Sequence, residues 1–381
     1  MRFQFQSPAF SEAAEALRHQ VRAFLDAARA AGEFTPRPNA WMHYDPAFTR
    51  RCGERGLIGI MFPKEYGGRR GTALERYVVY EEMLAAGATV GMHWFADRQS
   101  GPLILRHGTE SARARILPEI AAGRCCIGVG MSEPGAGSDL AAVRTRAEKV
   151  DGGWRITGSK LWTSHAHRAH YLILLARSAP PGEDRHSGLT QFIIDMKAPG
   201  VRANPLVDLT GGRDLNDVAF DGVLVPDEFV VGRPGDGWTL VMSELAYERS
   251  GPDRFLSTFP LLADLVDRVG PTATAADHAA VGRLVAHLTT LRRMSTAVAG
   301  MLDEGLTPEV EAALVKDLGT AFEREIPEVA RQLVDCVPQP GSRDRYAAGL
   351  AEAMLAAPSF TLRGGTREIL RGIVARQLGL R

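Results

Sequence analysis

Two short stretches concentrate the residues whose types and spacing could do chemistry. In MSEPGAGSDL, residues 131–140, Gly135, Ala136 and Gly137 lay the backbone open and Ser138 adds a hydroxyl. Amides in such a loop form a diffuse cradle for a ligand; Glu133 and Asp139 flank it, and no lysine supplies a point charge. A tight turn, with Asp139 capping the next segment, accounts for the same residues. In KLWTSHAH, residues 160–167, Trp162 is followed by the hydroxyls of Thr163 and Ser164. A flat aromatic wall with donors beside it suits a planar heteroaromatic ring; a core tryptophan on a strand is the plain alternative. His165 and His167 share one face of a continuing strand, but no third ligand is spaced to join them, so a metal centre is not expected.

Two further stretches carry charge. LAYERSGPDRF, residues 245–255, holds Glu248 and Arg249, and LRGGTREILRGIVARQLG, residues 362–379, opens on a glycine pair. Taken alone, Glu248 is a helix carboxylate paired with Arg249 or lying one turn from Glu244.

The elements that must position these residues fall into three blocks. Up to about residue 124 the pattern is helical: Ser11 can cap a helix whose Leu17, Val21, Phe24 and Leu25 recur at helical spacing. Residues 125–232 break into short β-rich runs such as GWRITGSKLWTS, HYLILLAR and LTQFIIDM, separated by turns such as Asp151-Gly152-Gly153, which predicts an antiparallel β-domain. From residue 233 to 381 the helical period returns. Val281, Leu284, Leu288 and Leu291 make a bundle stripe, breaks fall near Pro271 and in VPQPGSRD, and Thr366 is placed to cap the last helix. The expected class is α+β, with an N-terminal helical domain (1–124), a middle antiparallel β-domain (125–232) and a C-terminal helical bundle (233–381). Strand and helix do not alternate, which excludes a Rossmann arrangement.

Bulk properties narrow the class. With 45 Lys and Arg against 45 Asp and Glu, nothing favours nucleic acid or an anionic membrane. Cys52, Cys125, Cys126 and Cys336 lack metal-binding spacing and read as buried thiols of a reducing cytoplasm. No apolar run approaches the ~20 residues of a membrane span, and the N-terminus lacks a signal-peptide core; a cytoplasmic protein is expected.

The four stretches together, with Gly235-Asp236-Gly237-Trp238 opening a helix, resemble the acyl-CoA dehydrogenase family of flavoproteins in order and spacing, and the helix–sheet–helix layout fits across all 381 residues. The resemblance implies an N-terminal helical domain, a middle β-domain and a C-terminal four-helix bundle, with FAD between the β-domain, the bundle and a neighbouring subunit. It implies removal of hydrogen from Cα and Cβ of an acyl-CoA and delivery of electrons to an electron-transfer flavoprotein. Carried over residue by residue, Met131 and Ser132 meet the flavin ring edge. Gly137 and Ser138 lie near the pyrophosphate or substrate, Trp162 flanks the isoalloxazine, and Ser164 places a hydroxyl near N5 where the family usually has Thr. Thr366 and Glu368 meet the cofactor, and Arg249 and Gly365 the substrate.

The chemistry needs a carboxylate within hydrogen-bond reach of the α-hydrogen, in a dry site, while a hydride moves from Cβ to flavin N5. Most of the family carries this base just before the Gly-Thr of the last motif. Here that position is Gly364, which cannot take a proton. A minority carries it on an earlier helix directly before an Arg, which Glu248–Arg249 matches. Glu248 is therefore the expected base, and Glu368 a weaker rival suited to a helix N-terminus.

Two family motifs that reach a neighbour's FAD are absent: the corresponding stretches read RVGPTATAADHAAVGRL and DCVPQPGSRDRYAAGL. Either Arg283, Arg292 or Arg343 substitutes in a homo-oligomer, or a related subunit supplies the arm in an α2β2 assembly, as in a bacterial subgroup acting on sterol or other bulky side chains, which HWFADRQSGP also resembles. The alternatives in function are a relative acting on another thioester or using O2, and a subunit that only completes a partner's FAD site.

Overall fold

The computed structural model describes residue 3, residues 5–270 and residues 273–380; of Ala246 only the backbone is described. The break expected at Pro271 lies outside the described residues.

Helices come first: α1 (Glu12–Ala30), α2 (Pro46–Glu54), α3 (Ala73–Ala85), α4 (Gly91–Phe95), α5 (Gly101–His107) and α6 (Glu110–Ala121). Ser11 caps α1 by accepting from the Ala14 amide at 3.1 Å, and Thr72 with Glu75 forms a capping box on α3. Between α4 and α5 the backbone widens into a π turn, Ala96–Ser100, whose residues are all buried. The strands come next: β1 (Ile127–Gly130), β2 (Arg146–Val150), β3 (Gly153–Ser164), β4 (Tyr171–Arg177), β5 (Leu189–Asp195), β6 (Val201–Leu206), β7 (Leu215–Pro226) and β8 (Val230–Val231). Then come α7 (Gly237–Ser250), α8 (Phe259–Val269), α9 (Ala275–Asp303), α10 (Glu309–Leu333), α11 (Arg345–Phe360) and α12 (Arg367–Gln377). This is the α+β class expected. Among the described residues no helix is long and apolar enough to cross a membrane.

The chain forms two compact units. One comprises Met1–His43, Thr72–Val90 and Ala246–Arg381, the other Tyr44–Gly71 and Gly91–Leu245. In the first, α10 packs against α8, α9, α11 and α12, and Leu284 and Leu291 of α9 are buried with Val281 and Leu288 half-buried. Arg18 of α1 is buried between Glu81 and Glu82 of α3, and Arg292 of α9 closes the group on Glu81 at 2.7 Å.

In the second unit the strands run β6-β7-β3-β2-β4-β5-β8. The sheet is mainly antiparallel, as expected, with two exceptions: β1 runs parallel to β4, and Arg146 of β2 pairs with Arg177 of β4 in parallel. β4 and β5 are almost wholly buried on both faces, hence their continuous apolar runs. Cys52, Cys125 and Cys126 are buried free thiols, whereas Cys336 is only half-buried.

Candidate active-site elements

The two motifs first singled out meet in one unit. Strand β3 runs out along β7 until its register slips between Lys160 and Thr163. At that bulge Trp162 takes a left-handed backbone, φ 62, and turns its indole outward, 59% exposed. Large side chains rarely adopt left-handed backbone, so the chain is strained here, and the exposed indole is not a core tryptophan. Thr163, read from the sequence as a donor beside that wall, faces the other way and is buried, as strand alternation demands; Ser164 is half-buried.

The loop ahead of it is fastened to the same strand. Leu161 donates its amide to Ser132 O at 2.8 Å. The Lys160 ammonium, fully buried, donates to Met131 O at 3.0 Å and to Glu133 Oε1 at 2.8 Å. Glu133 accepts in addition from the Arg144 and Thr145 amides at 2.7 and 2.9 Å. The flanking carboxylate is thus a pin, and the loop does have a lysine, supplied by the second motif and aimed at the loop's own oxygens. Burial pushes the Glu133 carboxyl up, but the Lys160 charge and these bonds outweigh it and hold the carboxyl below its usual range. For Lys160 burial wins, and its pKa falls to about 8 despite the Glu133 partner. Side chains placed at Gly135 or Gly137 would meet nothing within 4 Å, so the loop's crest is open, with Ser138 exposed and Met131 and Ser132 half-buried. Asp139 does not cap the turn after it; it pairs with Arg185.

His165 and His167 do not share a strand face. β3 ends at Ser164, His165 is left-handed, and His167 lies in the short helical turn Ala166–Arg168 bonded to Asn216 at 2.8 Å. Among the described residues no group of His, Cys, Asp and Glu could hold a metal ion.

On α7 the two glutamates part ways. Glu244 is buried and accepts from Gln99 of the π turn at 2.8 Å and from Gln191 of β5 at 2.6 Å. The sequence gives no sign of these polar contacts, because HWFADRQSGP shows neither helical stripe nor alternation.

Glu248 belongs to the other unit. Its carboxylate is mostly buried and accepts from Arg254 Nη2 at 3.0 Å, while Arg254 Nε donates to the Glu248 carbonyl at 2.9 Å. Beside it runs the turn Arg363-Gly364-Gly365-Thr366. Arg249, buried, donates to Gly364 O at 3.0 Å, and Lys316 of α10 donates to Gly365 O. Arg363 lies over the Trp41 ring at 3.9 Å and bonds Glu323 at 3.1 Å. A Cβ built on Gly364 would stand 2.9 Å from Glu248 Oε1. Thr366 is the N-cap of α12, but its hydroxyl caps no helix amide. Glu368 is exposed; its own amide, then the Thr366 hydroxyl, hold its carboxyl below the usual range, which suits a helix-end carboxylate. Of the arginines considered as substitutes for the missing arm, Arg292 is committed to Glu81.

Three family models match the chain: acyl-CoA dehydrogenase N-terminal domain over residues 11–124, middle domain over 128–223 and C-terminal domain over 270–379. The chain is 34% identical over 380 residues to acyl-CoA dehydrogenase IpdE1 of Mycobacterium tuberculosis, covering 96% of this chain and 97% of that protein. It is 30% identical to a mitochondrial isovaleryl-CoA dehydrogenase of Oryza sativa subsp. japonica over 86% of this chain and 81% of that protein. Among solved structures it resembles a chain of the Tcur3481-Tcur3483 steroid ACAD at 27% identity and TM-score 0.83, covering 99% of each chain. It also resembles a chain of the ChsE4-ChsE5 complex from Mycobacterium tuberculosis at 26% identity and TM-score 0.81, covering 99% of this chain and 100% of that one.

Proposed function

The chain belongs to the acyl-CoA dehydrogenase family and is an FAD-dependent oxidoreductase that dehydrogenates an acyl-CoA; from that premise we propose that Glu248 takes the α-proton. The observation that carries this reading is the placement of the Glu248 carboxylate against Gly364, the position where most of the family carries its base.

The residues present fit FAD. An indole 59% exposed on strained backbone and a glycine loop with an open crest are what a flat heteroaromatic ring and a diphosphate require. Trp162, Met131, Ser132 and Ser164 would hold the ring system, and Gly137 and Ser138 the diphosphate. When bound, FAD supplies the acceptor, N5, for the hydride from Cβ.

The chain's own residues do the rest. Arg254 fixes the Glu248 side chain by bonding both its carboxylate and its carbonyl, so the base meets the α-hydrogen in one rotamer. Partial burial limits the water that would compete for the proton. Arg249 and Gly365 are assigned to the substrate side. The acyl group is one that tolerates a base on the earlier helix, a branched or bulky chain; electrons pass on to an electron-transfer flavoprotein.

The assembly we favour is an α2β2 heteromer with a related subunit. The two arm motifs are missing, and Arg292 is occupied by Glu81. The ChsE4-ChsE5 protein, described as a complex, is a precedent among similar chains. Purification of the chain alone tests both readings. Yellow protein that bleaches with acyl-CoA thioesters, with a Glu248→Gln variant that stays yellow, supports the base and excludes the heteromer. Colourless protein that turns yellow on co-expression with a related subunit supports the heteromer. Turnover retained by Glu248→Gln overturns the base.

A further inference from the structure

Lys316 is a fully buried lysine on α10, a place where an ammonium is rare, and it donates to the carbonyl of Gly365. The carbonyl before it, Gly364 O, accepts from buried Arg249 of α7 at 3.0 Å. Two consecutive carbonyls are therefore held by two buried cations from two different helices. Both glycines are left-handed, φ 67 and 98, and neither has a side chain with which to anchor the turn. The conformation matters because the Glu248 carboxylate fills the space beside Gly364.

The charges facing Lys316 come from several elements. Arg254, from the turn after α7, Arg363, from the segment after α11, and Arg249 repel it, and Glu248 attracts it. Of the carboxylates on its own helix, Glu323 is engaged by Arg363 and Asp317 by Arg367 and Arg371 of α12. From α8, Asp264 is bound to Arg345 of α11, and from α9, Arg292 to Glu81.

We propose that Lys316 is a positioning residue for the reaction: by holding Gly365 O it fixes the Gly364–Gly365 turn in the one shape that leaves the Glu248 carboxylate its place. The inference rests on the reading of Glu248 as the base. Burial first, then the Arg254 and Arg363 charges, lower the Lys316 pKa to about 7, and Glu248 opposes them. The bond to Gly365 is thus charge-assisted below that pH and weaker above it. The Glu248 charge favours the Lys316 proton across this contact.

Two measurements that need no substrate test this on the full chain. Backbone hydrogen exchange is measured across residues 363–368 in wild type, Lys316→Met and Lys316→Gln. The Glu248 carboxyl is titrated by isotope-edited infrared spectroscopy, with Glu248→Gln as blank. Lys316→Met, which lacks donor and charge, is expected to speed exchange in the turn by about tenfold or more and to move the Glu248 midpoint upward by about one pH unit. Lys316→Gln, which keeps a donor, should restore much of the protection while moving the midpoint as far as Met does. Exchange and midpoint both unchanged in the two variants would overturn the proposal. If neither variant folds, wild type alone decides: protection of these amides, corrected for the intrinsic pH dependence of exchange, must fall as pH rises through about 7, and a flat profile overturns it. Failure of the underlying base assignment shows separately, as turnover retained by Glu248→Gln.

Discussion

Glu248 Oε1 lies 2.9 Å from the point where a β-carbon on Gly364 would stand, and Arg254 Nη2 lies 3.2 Å from it. Two positions far apart in sequence address one place. A carboxylate at 248 and a side chain at 364 exclude each other there.

Gly364→Ala should therefore be costly out of proportion to one methyl group. Left-handed backbone costs an L-residue about 1–2 kcal/mol, and the added carbon pushes the carboxylate from its place. A displacement of that order at a reacting group is expected to lower kcat by about 100-fold with flavin content unchanged. Steady-state kinetics and the visible flavin spectrum check this; wild-type turnover in the variant would show that Glu248 needs no fixed place.

Glu248→Gln keeps the shape and the Arg254 contact and removes the basicity. Turnover is expected to fall by about 10²–10⁴-fold, the ordinary worth of a general base. Thermal stability should change little.

Trp162→Gly separates strain from function. The indole is largely exposed and its backbone left-handed, so glycine relieves strain of about 1 kcal/mol and the cofactor-free chain should melt at a slightly higher temperature. The same variant should lose FAD on gel filtration. A variant that is destabilised and still holds FAD would mean that the indole is only packing.

Lys160→Met strands Glu133 without its charge partner. Removing one member of a buried pair costs about 3–5 kcal/mol, read as a lower denaturation midpoint. The pH signs differ for the two partners. The Glu133 carboxyl is held low, so its stabilisation is present above its unfolded value and lost as acid titrates it. Folded Lys160 gives up its proton near pH 8 while the unfolded chain keeps it until about 10.5, so unfolding free energy should rise across that interval in wild type and stay flatter in the variant.

Much of this is legible in the sequence where a pattern is local. The α1 stripe, the Ser11 cap, the β-runs and the Thr366 cap position come from nearest neighbours along the chain. The glycine at 364 is legible as a gap, because a base is chemically required. Lys160, Arg254 and Lys316 are not legible, because what each does is set by a partner on another element. Thr163 departs from the sequence reading because it keeps the two-residue period and so faces away from Trp162, and His165 because β3 ends at Ser164 and its own backbone is left-handed.

A peptide group is flat and carries its C=O and N–H on opposite edges. Arg249 draws the Gly364 oxygen to one side and thereby turns the Gly365 hydrogen to the other; Lys316 does the same to the next plane, and with it to the Thr366 hydrogen. The two cations thus act as rudders, steering two neutral donors, so that charge at the back of the turn becomes direction at its front.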